Sequence, residues 1–281
     1  MKFCICNETY QEWTWNDTCR SASECGYRYI EIAPFTLAPD IRSLSTEAKA
    51  DIRATAARYG LQIVGLHWLL VSPKGLSLTG EDCLRRAETA DYLKALVQLC
   101  ADLGGQSMVL GSPAQRRLPA TTDGSEQSRI EIATERLVHA LRPALDEALL
   151  RNVTLCLEPL PAPESDFVLT LSDAVSIVRQ VDHPSLKTML DVKSASADVA
   201  PIPELIKQYI SLIAHVHVND VNRRGPGFGN TDFVPILKAL MAAGYAGPVS
   251  VEVFDYSPDP VTIAQKSLDY LNHCLHSVPA G

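Results

Sequence analysis

A chain of 281 residues, 46% hydrophobic and 21% charged, suits one large α/β barrel or two ordinary domains and is ample for a sizeable core. Its formal net charge of −8 and isoelectric point near 5.4 argue against a nucleic-acid groove, which needs a basic surface. No apolar run approaches the ~18 residues of a membrane span, Met1–Cys6 is broken too soon by Asn7-Glu8 to be a signal peptide, and eight cysteines without CxxC spacing indicate a reducing, cytoplasmic setting.

Along the chain, short apolar runs alternate with longer amphipathic ones. A strand over 2–6 is followed by a helix over 12–25, then 28–32 by 46–59, 61–67 by 81–103, and 106–111 by 126–150. The second half continues with 152–158 and 171–181, 186–191 and 203–210, 213–218 and 232–243, and 248–253 and 260–275. Eight strand–helix units with nothing left over is the count of a closed (β/α)8 TIM barrel, here a single domain over residues 1–281. Ser45-Thr46-Glu47 and Thr231-Asp232 are N-cap signals, and Gly60, Gly104 and Gly244 stand where helix C-terminal caps belong. Two loops are long, 68–80 after strand three and 219–231 after strand seven. Both fall at strand C-terminal ends, where long loops serve as lids or specificity elements.

Four successive strands end on a metal-type ligand. Val153–Leu157 leads to Glu158, Leu186–Leu190 to Asp191, Ile213–Val216 to His217, and Val249–Val251 to Glu252. A carboxylate or imidazole ending a buried strand is costly unless it is paired or metal-bound. In a parallel barrel the C-terminal strand ends converge on the active-site face, so these four side chains can meet around one ion. Three carboxylates and one imidazole form a hard donor set suited to Mn²⁺, Mg²⁺ or Co²⁺, with Zn²⁺ a further candidate. The alternative is that Glu158 and Glu252 pair with Arg or Lys inside the barrel mouth. Strands five and eight face each other across the mouth, so Glu158 and Glu252 can flank a reacting carbon as acid and base.

These features resemble the xylose-isomerase-like TIM-barrel superfamily, its sugar phosphate isomerase/epimerase proteins, and among them the ketose 3-epimerases of the D-tagatose and D-psicose type. The resemblance implies a sugar isomerase or epimerase that holds one divalent ion, Mn²⁺ foremost, on Glu158, Asp191, His217 and Glu252. It implies an enediolate formed on a keto sugar or derivative, with Glu158 and Glu252 transferring the protons. It further implies substrate contacts from Glu164, six residues beyond the first ligand, and from Arg223 in the pair Asn222-Arg223. One position departs from the pattern: where those epimerases carry a His three residues after the metal Asp, this chain has Ser194, with Lys193 beside it. That departure points to a modified keto sugar or sugar acid, its carboxylate or phosphate met by Lys193 or Arg223. A metal-dependent dehydratase or decarboxylase on the same site is the alternative outcome. An endonuclease IV-like enzyme or a non-catalytic binding barrel is a more distant one. Barrels of this group pair through catalytic-face helices, which implies a homodimer or homotetramer.

The first half adds further candidates. Glu31 ends strand two and would support the site. His67 ends strand three in Gly65-Leu66-His67-Trp68, as a substrate or supporting residue or else a core histidine. Trp68 and Trp15 could floor a sugar ring or simply pack. After strand four, Ser112 and Gln115 could bind hydroxyls, and Arg116-Arg117 an anion. His215 is expected to face the helices and is set aside as a ligand. Asp220 would orient His217 or cap the loop that follows. The glycines of Gly225–Gly229 lack the Lys-Ser/Thr of a P-loop and are no nucleotide motif.

Overall fold

The computed structural model describes residues 1–120 and 124–277. Eight parallel strands close into a barrel in chain order: β1 (Lys2–Cys6), β2 (Tyr29–Ile32), β3 (Gln62–Leu66), β4 (Ser107–Leu110), β5 (Thr154–Leu157), β6 (Leu186–Asp191), β7 (Ile213–Val218) and β8 (Pro248–Val251). Seven of the intervening helices match the sequence expectation to within a residue or two: α2 (Thr46–Arg58), α3 (Cys83–Asp102), α4 (Glu126–Arg151), α5 (Leu171–Val181), α7 (Ile202–Tyr209), α8 (Phe233–Ala242) and α9 (Pro260–His276). α1 (Trp15–Glu24) starts three residues later than expected, where Thr14 accepts the Asp17 amide as N-cap. One α-helix among the described residues was not foreseen, the single turn α6 (Val192–Ala195), which begins where Asp191 caps it.

Local chemistry sets these boundaries. Ser45 caps α2 and Asp232 caps α8, as the sequence signals suggested. α5 opens on a complete capping box in which Thr170 and Asp173 satisfy each other's backbone amides. Gly104 ends α3 at a φ of 87°, a conformation that costs other residues a Cβ clash. The outer faces of the strands and the inner faces of the helices make one continuous apolar core, from Ile5 and Ile30 through Leu96 and Leu141 to Leu271.

The barrel's axis is more polar. His215 of β7 reaches across to Ser107 of β4 (3.2 Å), Ser250 of β8 (3.3 Å) and Glu31 of β2 (2.9 Å). Because those strands lie around the whole circumference, His215 points into the barrel. The expectation that it faces the helices is therefore wrong. Residues two apart on a strand share a face, so His215 lies one layer beneath His217.

β3 and β4 approach closely where Gly65 pairs with Ser107. A Cβ on Gly65 would collide with the Ser107 carbonyl, a backbone atom that cannot swing aside. Gly65→Ala should therefore lower unfolding stability by roughly 1–3 kcal/mol, the usual cost of overpacking. Urea denaturation measures it, and a loss of under ~0.5 kcal/mol would show that the two strands can separate freely.

Candidate active site

Glu158 follows β5 directly, Asp191 closes β6, His217 lies in β7 and Glu252 follows β8. One ligand atom from each falls within 4.8 Å of the others, and all four residues are buried. The barrel register explains the meeting, since Asp191 pairs with His217 and His217 with Ser250 in adjacent strands.

Each side chain is held by its neighbours. Asp191 accepts the Ser194 amide at 2.7 Å and the Asn219 side-chain amide at 2.7 Å. Asn219 in turn accepts the Lys193 amide at 2.9 Å, which fixes the chain leaving β6. Glu252 accepts Trp68 Nε1–H at 2.8 Å on one oxygen, and its other oxygen lies 3.2 Å from His217 Nδ1. Glu158 fills the space left by Gly111, where any Cβ would collide with its carboxylate.

The electrostatics are those of crowded like charges. Burial, then Glu252 and Asp191, push the Glu158 carboxyl well above the usual carboxylate range. Burial and Glu252 likewise raise Asp191. Burial would also raise Glu252, but His217 outweighs it and holds Glu252 below its ordinary value. Burial opposes charge on His217, yet Glu252 and Glu31 lift it well above an ordinary imidazole. His217 Nδ1 and Glu252 Oε2 are buried without a hydrogen-bond partner. Three carboxylates and an imidazole, with two orphaned donor atoms, fit a hard divalent cation.

Beneath the four runs a chain of buried acids and imidazoles. Glu31 Oε2 meets His215 at 2.9 Å and His217 Nε2 at 3.3 Å, so the two nitrogens of His217 face Glu31 below and Glu252 above. Burial disfavours the Glu31 carboxylate, but His215 and His217 hold it ionised well below its usual range. His67 is wholly buried and bonds Glu8 at 2.6 Å, with its Nδ1 4.0 Å from Glu31. It thus supports this layer and does not line the open cavity. Glu8 was missed in the sequence, although Asn7-Glu8 follows β1 as the other acids follow their strands.

A cavity of about 330 Å³ opens above the carboxylates, and Trp68, Ser112, Gln115, Glu158, Glu164, Glu252 and Phe254 line it. Trp68 packs against Phe35 and Phe254, with ring centroids 5.9 and 5.8 Å apart. Lys193 reaches Glu164 at 2.5 Å, and Lys193 and Arg223 both lie over the Phe254 ring. Ser194 is buried, its hydroxyl unpartnered, behind Asp191. Trp15 is elsewhere: its Nε1 bonds the Ile52 carbonyl between α1 and α2, so it packs helices and floors no sugar. Asp220 caps the following loop through the Thr231 amide and makes no bond to His217. Asn222 holds the same loop through the Phe228 carbonyl. A larger groove, about 1050 Å³, runs along α4 and α5 on the outer wall, away from the carboxylate cluster.

The protonation states give a test. Glu158, Asp191 and His217 all bind protons more tightly folded than unfolded, so without metal each loses stabilisation as pH rises toward its folded value. A cation on these groups displaces those protons and binds better as pH rises. The gain in melting temperature on adding Mn²⁺ should grow from about pH 5.5 to about pH 7.5 and vanish in Asp191→Ala. A gain independent of pH, or retained in the variant, would remove these residues as its ligands.

Known proteins share this fold. The model of the xylose isomerase-like TIM barrel family matches residues 19–274. A D-psicose 3-epimerase of Ruminiclostridium cellulolyticum is 35% identical over 120 residues, an alignment spanning 43% of this chain and 41% of that enzyme. A fructoselysine 3-epimerase of Shigella flexneri is 24% identical over 260 residues, 89% of each chain. The crystal structure of D-psicose 3-epimerase with D-tagatose from Clostridium cellulolyticum H10 superposes with a TM-score of 0.83 at 22% identity, covering 98% of this chain and 99% of that one. With the closed barrel, these matches show that the chain belongs to the xylose isomerase-like TIM barrel family.

Proposed function

We propose that the protein is a divalent-metal-dependent epimerase or isomerase that moves a proton at the carbon beside the carbonyl of a keto sugar or keto-sugar derivative. The observation that carries this reading is the pair Glu158 and Glu252, two buried carboxylates at one cavity in opposite environments. The named relatives, a D-psicose and a fructoselysine 3-epimerase, support the substrate class. The ion would rest on Glu158, Asp191, His217 and Glu252, with Mn²⁺ the first choice. When bound, it acts as a Lewis acid for the negative charge that develops on the substrate's oxygens.

The side chains divide the proton work. Trp68 Nε1–H and His217 favour an ionised Glu252, which suits it to remove the proton. Glu158, the second carboxylate on the same cavity, is suited to hold a proton and return it from the opposite face, inverting the centre. The roles exchange in the reverse direction. Glu164 and Gln115 on the cavity wall, and Arg223 beside Phe254, orient the hydroxyls. Lys193 closes the wall on Glu164, and the packed rings of Trp68 and Phe254 keep water from the reacting carbon.

Turnover in D₂O should place solvent deuterium on the inverted carbon, read by NMR. Glu158→Gln and Glu252→Gln should each stop net turnover while one still exchanges the proton of a single epimer. Turnover without deuterium at carbon would sink the two-carboxylate route, and a product lacking a hydroxyl or CO₂ would select a lyase.

Ser194 offers no imidazole, and its hydroxyl lies buried behind Asp191. Free D-fructose, D-psicose and D-tagatose should therefore turn over well below the ~10 per second of a typical enzyme. Rates at or above that on any of the three would show that another group does the work of the histidine.

A further inference from the structure

Among the described residues, Arg116 is the largest side chain that is completely buried. Among the described residues its Nε, Nη1 and Nη2 all lack a hydrogen-bond partner, and no carboxylate lies within ion-pair distance of them. A guanidinium carries five N–H donors in a planar fork and stays charged, so leaving it dry and unpaired is among the costliest arrangements a fold can hold. Its sequence neighbour Arg117 reaches Asp166 at 3.9 Å and needs no such explanation.

The surroundings show what would complete it. The four residues before Arg116, Ser112 to Gln115, line the cavity above the carboxylates. Ser112 sits in the left-handed region at a φ of 46°, and its buried hydroxyl is also unpartnered. The strongest opposite charge acting on Arg116 is Glu158, on the same cavity. In the proposed mechanism Glu158 is committed to the ion and the proton, so it is not free to neutralise Arg116. Lys74 places a cation on the cavity wall itself. A buried unpaired fork and a buried unpaired hydroxyl, four residues apart in the segment that borders the cavity, are the donors an oxyanion accepts.

We propose that Arg116, with Ser112, forms an oxyanion subsite beside the catalytic cavity, so that the substrate is an acidic keto sugar carrying a carboxylate or a phosphate. This rests on the keto-sugar reading of the same cavity and narrows it. The cost of an unpaired guanidinium in the resting protein is then recovered as binding energy when the acidic substrate docks.

Two measurements on the Mn²⁺-loaded protein test it, and the first needs no turnover. Sulfate, against chloride at equal ionic strength, should raise the melting temperature of the wild type and not that of Arg116→Gln. Arg116→Gln should itself melt at or above the wild type, because it removes an unpaired buried charge. A sulfate response kept in the variant, or a large fall in its melting temperature, would give Arg116 an internal partner and overturn the subsite. The second measurement compares kcat/KM on a hexulosonate, a ketohexose phosphate and D-fructose. The ratio of the preferred acidic substrate to D-fructose should fall at least tenfold in Arg116→Gln, through KM, and the better of the two acids identifies the anion. An unchanged ratio overturns the proposal. Arg116→Lys, which keeps the charge and loses the fork, gives a second reading. The same tenfold fall supports the subsite there, and an unchanged ratio rejects it. If no keto sugar is turned over at all, the epimerase reading fails while the sulfate result still decides the subsite.

Discussion

The molecule is organised around one electrostatic constraint: carboxylates crowd the dry mouth of a barrel with few positive groups in reach. Glu158, Asp191 and Glu252 share a space in which each raises the others' energy, and His217 is the one imidazole among them. An uncompensated charge at this depth costs roughly 3–5 kcal/mol. The surrounding residues reduce that cost group by group. Amides from Ser194 and Asn219 serve Asp191, and an indole N–H serves Glu252. Glu158 alone has no such donor, and it is the carboxyl most strongly driven to keep a proton. The asymmetry of the pair follows chiefly from His217, which stands against Glu252 and holds it below its ordinary value.

Support from below matters as much. Glu31 contacts both His215 and His217, and His67 links the same layer to Glu8. An imidazole that offers one nitrogen to a carboxylate beneath it presents the other to the mouth in a fixed orientation. Ser107 and Ser250 close the arrangement at its base through His215. The polar axis of this barrel thus sets the direction in which His217 points.

The barrel and the meeting of Glu158, Asp191, His217 and Glu252 were legible in the sequence because both rest on simple periodicities. Eight apolar runs, each followed by an amphipathic stretch, admit few topologies, and a ligand directly after a buried run has no inexpensive alternative environment. What was not legible needs contacts between distant segments. His215 was placed on the wrong face by misjudging the two-residue repeat, and that repeat alone would have put it beneath His217. Trp15 could floor a sugar ring or pack as far as the sequence shows, and only its bond from the first turn of α1 to the Ile52 carbonyl decides for packing. Glu8 follows β1 on a single turn of 3₁₀ helix that no pattern announces, and only its bond to His67 gives it meaning. Phe254, the ring that Lys193, Arg223 and Trp68 all meet, carried no sequence signal beyond its place two residues after Glu252.

The cavity wall shows how the departure at Ser194 is accommodated. A serine there is small enough to lie behind Asp191, and Lys193 beside it is free to extend over Phe254 to Glu164. One long flexible cation therefore stands on the wall where a rigid imidazole would otherwise reach inward. Lysine is a compact charge on a four-carbon stem and holds no fixed hydrogen-bond direction. Its pairing with Glu164 neutralises a carboxylate that would otherwise add to the crowd at the mouth. The same pairing must open if Glu164 is to meet a substrate hydroxyl, so access to this part of the cavity is governed by an ion pair that substrate can replace. On the proposed reading, recognition rests more on the loops after β4 and β7, where Gln115 lines the cavity and Arg223 lies over Phe254.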